Sequence, residues 1–251
     1  MHTATAILRS RLSKSSNAGA PAGYTAQSYA RDFAVFGPFI RSHARSYAFY
    51  VNGLRDHFEP GRPVWITETA DAACGGNPWA KTLLDTFRYP DQLGRLARRG
   101  VDAIFHNTLA SSDYGLLDQD TFTPRPNYWG GLLWRRLMGT TVLDVGPSRE
   151  GLHIYAHSMR GQPGGVTLLA INNSRTRESS IELSLSAERY TLSAQRLESE
   201  RVELNGNRLG LGASDALPDM NAAPVAPGRV TFAPATITFL AIPSAENDAC
   251  R

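Results

Sequence analysis

Near Gly139 the hydrophobic pattern changes period, and that change constrains the fold more than any other feature of the chain. From Tyr24 to about Gly139, apolar residues at helical spacing alternate with short strand-like runs. Thr25 is a candidate N-cap for a helix carrying Tyr29, Phe33, Phe36 and Ile40, with Pro38 inside it as a bend. Val64 to Glu68 reads as a strand. Leu83, Leu84 and Phe87, then Leu93, Leu96 and Ala97, form a helical face that Pro90 should kink or divide and Gly100 should close. Val101 to His106 is a second strand, and Asn127 to Met138 a helix stopped by Gly139. This order predicts parallel strands with covering helices. Beyond Gly139 the runs Leu152–Ser158, Val166–Asn172, Ile181–Leu185, Tyr190–Gln195, Val202–Leu209 and Val230–Ala241 approach period two, and Asn205-Gly206 is a hairpin signal. That half predicts a β-sandwich of roughly 100 residues.

Composition narrows the partners. Hydrophobic content of 42% and charged content of 20% are ordinary for a globular protein, and the net charge is only +3. Lys14 and Lys81 are the sole lysines, so the cations are almost all arginine. No basic stripe with interleaved aromatics marks a nucleic-acid surface, and none is expected. No apolar run approaches the ~20 residues of a membrane-spanning helix. Cys74 and Cys250 make no metal-ligand spacing, and no cofactor is called for. Residues 1–20 lack the apolar stretch of a secretory signal; a weak leader, a misplaced start and a disordered tail stay open, with disorder the default.

The chemistry concentrates at strand ends. Strict alternation puts Val64, Ile66 and Glu68 on one face of the first strand and Trp65 and Thr67 on the other. In a (β/α) barrel the first set would face the axis and bring Glu68 to the mouth. Gly75 and Gly76 would let backbone run close to a ligand. His106 and Asn107 end the next strand, and the loop Ser111–Asp118 adds Asp113, Tyr114 and Asp118. From spacing alone Glu68 fits either catalysis or a carboxylate held by an arginine. His106 and Asn107 fit structural hydrogen bonding better than catalysis, and Tyr114 could simply cover a barrel end. Glu59 sits in a turn before a strand and reads as surface.

The strings VWITETADAACGG, DQLGRLARRGVDAIFHNTL and DYGLLDQDTFTPRPNYWGGLLWRRLMGTTVL, with the β-rich tail, resemble heparanase-type proteins of glycoside hydrolase family 79 from about Arg62 to Ile242. The resemblance implies a retaining glycosidase of β-linked glucuronides, built as a (β/α)₈ barrel with an attached β-sandwich. Glu68, in the Trp-x-x-Glu-Thr string, would be the nucleophile. Tyr114 would grip the uronic-acid carboxylate, together with backbone amides at Cys74, Gly75 and Gly76, while His106, Asn107 and Asp113 would flank the sugar.

The same resemblance exposes a gap. Retaining hydrolysis needs a second carboxyl group, carried in the family by an Asn-Glu-Pro string that this sequence lacks. Asp113 and Asp118 are the substitutes within reach of the loop. A complete barrel takes about 250 residues, so the expected fold is the C-terminal portion of a (β/α)₈ barrel followed by an antiparallel sandwich. The expected organisation is a disordered segment 1–22, a partial barrel 23–140, a sandwich 141–245 and a tail 246–251. An open barrel exposes strand edges that a complementing chain or a homodimer would cover, and an inactive remnant that binds carbohydrate is the alternative. The expected partner is a glucuronic-acid-containing glycan or a glucuronide. The family's sandwich cysteine pair has no counterpart at Tyr155–Ser158, which implies an unpaired Cys250.

Overall fold

The computed structural model describes residues 50–71, 78–147 and 149–251; the helix expected at 24–41 and the segment 1–22 lie outside them. A π-helical turn, Tyr50–Arg55, runs into α1 (Asp56–Phe58) and then β1 (Trp65–Thr69). The helix α2 (Leu83–Ala97) returns the chain to β2 (Ala103–His106), which pairs parallel with β1. The predicted strand–helix–strand unit is therefore present. Pro90 does not divide α2, which runs through it unbroken. Its closure follows expectation: Gly100 takes φ +78° and donates to the Ala97 carbonyl at 3.0 Å, while Val101 N–H reaches Leu96 at 3.1 Å.

Gly139 was expected to stop the next helix, and here the structure differs. Helix α3 (Pro126–Leu137) opens on Pro126, whose missing N–H costs nothing at a helix start. It passes at Met138 directly into β3 (Met138–Leu143), with no cap glycine between. Gly139 lies in the strand, where an added Cβ would stand 2.3 Å from Ser158 Oγ. Close approach to β4 is its role.

The remaining strands are β4 (Leu152–Met159), β5 (Val166–Asn172), β6 (Ser179–Leu183), β7 (Ala187–Ser193), β8 (Glu203–Leu204), β9 (Asn207–Arg208), β10 (Ala223–Val225), β11 (Gly228–Phe232) and β12 (Thr236–Ile242). An eight-stranded antiparallel sheet has the order β3-β4-β5-β12-β7-β8-β9, with β10 added on β7. Strands β6 and β11 form a separate two-stranded sheet. The run Val230–Ala241, expected as one strand, is two strands in different sheets, because Ala235 turns at φ +52° between them. Asn205 and Gly206, at φ +51° and +82°, make the predicted hairpin turn between β8 and β9.

Both faces of the large sheet are buried. Tyr155, Leu169, Ile171, Leu192, Ile237 and Phe239 pack with Leu83, Leu84 and Phe87 of α2 and Trp129, Leu133 and Leu137 of α3. The alternate residues Ala156, Val166, Leu168, Ala170 and Leu240 pack with Leu183, Val230 and Phe232 of the small sheet. This two-sided covering explains why β5 and β12 are buried at every position. Cys250, a free thiol among the described residues, is buried in the second cluster, and burial pushes its thiol up. No helix among the described residues is long and apolar enough to cross a membrane.

Candidate active site

Ile66 packs with Leu96 and Val101, so its face of β1 meets α2 and the opposite face, carrying Trp65, is open. Strict alternation would send Glu68 toward α2 with Ile66. It does not go there: the β1–β2 register shifts between Ile66 and Thr69, Thr69 becomes buried, and Glu68 is exposed. The extra residue of an irregular pairing re-aims a side chain at a strand end. The expectation that Val64, Ile66 and Glu68 share one site-facing side is thereby corrected. Trp65 and Phe105 are 60% and 50% exposed on neighbouring strands, with ring centroids 6.0 Å apart.

Glu68 and Asn107 meet at the C-terminal ends of the parallel pair. Asn107 Nδ2 donates to Glu68 Oε1 at 2.7 Å, and Asn107 N–H donates to the Thr69 carbonyl at 2.8 Å. The amide of Asn107 is thus held by backbone while it orients the carboxylate. His106 turns the other way. Its Nε2 lies 2.7 Å from the Tyr114 carbonyl, which can only accept, so Nε2 carries the proton. Its ring leans on Tyr89 with centroids 4.8 Å apart. Burial, with the Arg88 charge beside it, holds His106 below the usual histidine value despite that hydrogen bond. Tyr114 is itself buried at 9% exposure, so His106 and Tyr114 join strand end to loop.

The loop that carries Tyr114 is tied down by Arg125. Its Nη1 donates to the Ser112 and Asp113 carbonyls, both at 2.7 Å, and its Nη2 meets Asp118 Oδ2 at 3.1 Å. Asp113 is exposed. Asp118 Oδ1 accepts from Asp120 N–H and from both the N–H and the hydroxyl of Thr121. The Thr121 hydrogen bonds, then Arg125, hold its carboxyl far below the usual carboxylate range. Such a group stays ionised and cannot donate a proton near neutrality, which removes Asp118 as a substitute acid. Glu59 is exposed in its turn, 3.6 Å from Arg62, as expected of a surface residue. Cys74, Gly75 and Gly76 lie outside the described residues. A cavity of about 640 Å³ adjoins the other, N-terminal end of β1, lined by Phe58, Val64 and Trp65 among others.

Beneath Glu68 lies a network that the apolar reading of α2 overlooked. Thr69 Oγ1 accepts from Gln92 Nε2 at 2.9 Å, and Gln92 Oε1 accepts from Arg88 Nη1 at 2.9 Å. Arg88 forms a fork on Asp85 through Nε and Nη2, at 2.5 and 2.9 Å, and Asn127 Nδ2 of α3 reaches the same carboxylate at 2.6 Å. Burial works against the Arg88 charge, and Asp85 with the nearby Asp71 more than restores it. One turn on, Asp91 receives His153 Nδ1 at 2.6 Å, Tyr155 hydroxyl at 2.7 Å and Arg95 at 2.5 Å. Burial alone would raise the Asp91 carboxyl; Arg95, then His153, outweigh it and hold it low. The spacings Asp85/Arg88 and Asp91/Arg95, three and four apart, were the available sequence signal.

No protein-family model matches the chain. Among curated proteins, Heparanase-like protein 1 of Arabidopsis thaliana is 40% identical over 138 residues, covering 53% of this chain and 25% of that protein. Heparanase of Gallus gallus is 32% identical over 219 residues, covering 80% and 42%. Baicalin-beta-D-glucuronidase of Scutellaria baicalensis is 33% identical over 169 residues, covering 63% and 32%. The chain thus spans a quarter to two fifths of these relatives. Among solved structures, a 4-O-alpha-L-rhamnosyl-beta-D-glucuronidase from Fusarium oxysporum aligns over 78% of this chain and 50% of its own, with a TM-score of 0.56 and 14% identity. CelM2, a bifunctional glucanase-xylanase from a metagenome library, aligns over 90% and 40%, with a TM-score of 0.55 and 15% identity. At those identities the two structures speak to the fold alone. At 32–40% identity over these stretches, the chain is related in sequence to heparanases and a β-glucuronidase, proteins of glycoside hydrolase family 79.

Proposed function

We propose that this chain carries the nucleophile side of a retaining β-glucuronidase, with Glu68 as the attacking group. The observation behind the reading is the Glu68–Asn107 hydrogen bond at the C-terminal ends of two adjacent parallel strands, where a (β/α) barrel places its chemistry. In this reading the β1–α2–β2–α3 unit is the last part of a barrel, and the β-rich half is its attached sandwich. One oxygen of Glu68 accepts from Asn107, leaving the other free to attack the anomeric carbon of a glucuronide. The bond to the leaving oxygen breaks as the ester to Glu68 forms, and water later cleaves that ester with net retention. The Tyr114 phenol and the backbone amides of Cys74, Gly75 and Gly76 bind the uronate, with His106 holding the Tyr114 loop and Asp113 at its rim. The acid for the leaving group comes from residues outside this sequence, such as those of a complementing chain, because the Asn-Glu-Pro string is missing from it.

A fluoro-glucuronosyl fluoride tests the reading without that acid, since fluoride leaves unassisted. Intact mass should rise by one glycosyl group, mapped to Glu68, and the Glu68→Gln protein should stay unlabelled. Labelling elsewhere, or none, would sink the proposal. The second reading, a carbohydrate-binding protein without turnover, draws on the ionised, fully bonded Asp118. It expects glucuronide binding with no covalent product.

A further inference from the structure

A groove of about 750 Å³ opens in the β-rich half, far along the sequence from Glu68. Arg189 of β7, Arg175 of the β5–β6 turn and Arg196 of the segment after β7 line it, against a single carboxylate, Glu198. None of these three guanidinium groups forms an ion pair among the described residues. Arg189 shows the imbalance best. It is half-buried; its Nη2 donates to the Thr231 carbonyl at 3.1 Å, while its Nε is buried without an acceptor among the described residues. Burial pulls its guanidinium below the usual arginine value, and no acidic neighbour offsets that. Elsewhere the protein compensates such cations: Arg88, Arg95 and Arg125 each reach a carboxylate. A cation drawn out of water without an anion is costly, and an incoming anion recovers the loss.

The floor beneath Arg189 is held in place. Asn205 Nδ2 donates to the Arg189 carbonyl at 2.9 Å, and its Oδ1 accepts from Thr191 N–H at 2.9 Å. A rigid floor lowers the ordering cost of binding. The lining includes hydroxyl and amide side chains but no aromatic ring, so it offers no platform for stacking the bases of a nucleic acid. Guanidinium forks match carboxylate and sulfate groups, and the polar lining suits sugar hydroxyls.

We infer that this groove is a second saccharide site, which holds a carboxylated or sulfated segment of a glycan through Arg175, Arg189 and Arg196. The choice of a sugar over a simple oxyanion rests on the glucuronidase reading; the charge argument does not.

The test is calorimetric titration with a sulfated, uronate-containing hexasaccharide at physiological salt. Replacing Arg175, Arg189 and Arg196 together by Gln should weaken binding at least ~10-fold, the effect of losing charge-assisted hydrogen bonds. Replacing the exposed Arg135, Arg136 and Arg149 by Gln removes equal charge and should weaken it less than ~2-fold, as screened surface charges do. Should Arg189→Gln disturb folding, the pair Arg175→Glu and Arg196→Glu, both at exposed positions, should give the same loss. Equal weakening in both triple variants, no binding by the unaltered chain, or displacement by an equal concentration of inorganic sulfate would overturn the inference. Labelling of Glu68 is read separately and should persist in the groove variants, so failure here is distinguishable from failure of the glucuronidase reading.

Discussion

Asn107 Nδ2 stands 2.7 Å from Glu68 Oε1, so the tips of β1 and β2 act as one unit. A hydrogen bond to a charged group contributes roughly 1.5–3 kcal/mol. If that contact steadies the attacking carboxylate, Asn107→Ala should slow covalent labelling of Glu68 by about 10-fold or more. Asn107→Asp should slow it further, because it sets like charges together. A labelling rate in Asn107→Ala equal to that of the unaltered chain would show that the pair has no part in the chemistry.

Glu68 is also steadied from behind. The relay Thr69–Gln92–Arg88–Asp85 joins the residue after Glu68 to the middle of α2. Gln92→Leu and Thr69→Val should each lower the labelling rate by roughly 3- to 10-fold, while Thr69→Ser, which keeps the hydroxyl, restores it. Rescue by serine separates positioning from simple loss of packing. Equal rates in the valine and serine proteins would remove the relay from the account.

Gly94 faces the Tyr155 ring, and an added Cβ would sit 2.4 Å from Tyr155 Cγ. Tyr155 cannot swing away easily, because its hydroxyl is bound to Asp91. Gly94→Ala should therefore cost about 1–3 kcal/mol as overpacking, even though alanine favours a helix. Thermal unfolding should show a fall of several degrees, and an unchanged or higher Tm would contradict this packing.

Acid should loosen the fold in two stages. His106 and His157 each give one ring N–H to a carbonyl, Tyr114 and Gly139, and each keeps its other nitrogen buried without a partner among the described residues. Burial places both below the ordinary value of 6.5. Below that value the unfolded chain binds protons that the folded one refuses, so stability falls as pH drops from 6.5 toward the folded values. Asp91, held low by Arg95 and His153, contributes stability that is present above 3.8 and lost as pH falls through its lower folded value. Urea midpoints measured down the pH scale should decline below neutrality, and His157→Phe should flatten the first stage. An identical slope in that variant would count against the assignment.

The β-rich half was legible because its strands obey period two and its turns need special backbone: Asn205 and Gly206 mark the β8–β9 hairpin unaided. The misreadings share a cause. Local pattern carries no information about which neighbour a strand or helix will meet. Gly139 looks like a helix stop until β4 is placed beside it. Glu68 was given the wrong face because alternation presumes a regular ladder, and the β1–β2 register shifts at that point. Asp85, Arg88 and Asp91 were passed over because charges on a helix are usually solvated; here the sheet and α3 enclose them. The proposal of Glu68 as nucleophile came from resemblance to a family, since spacing alone left it undecided.

The first apolar core is built jointly by α2, α3 and the large sheet, so it straddles the place where the sequence changes its grammar. A genetic cut there would leave two pieces, each with a greasy wound and neither able to close it. In evolution the sheet could not have been traded onto another protein without these two helices travelling along, and α2 approaches the Tyr155 ring of β4 where Gly94 lacks a methyl. Inheritance in this lineage is therefore expected to conserve the joint as a block, with change confined to the open face and the outer loops.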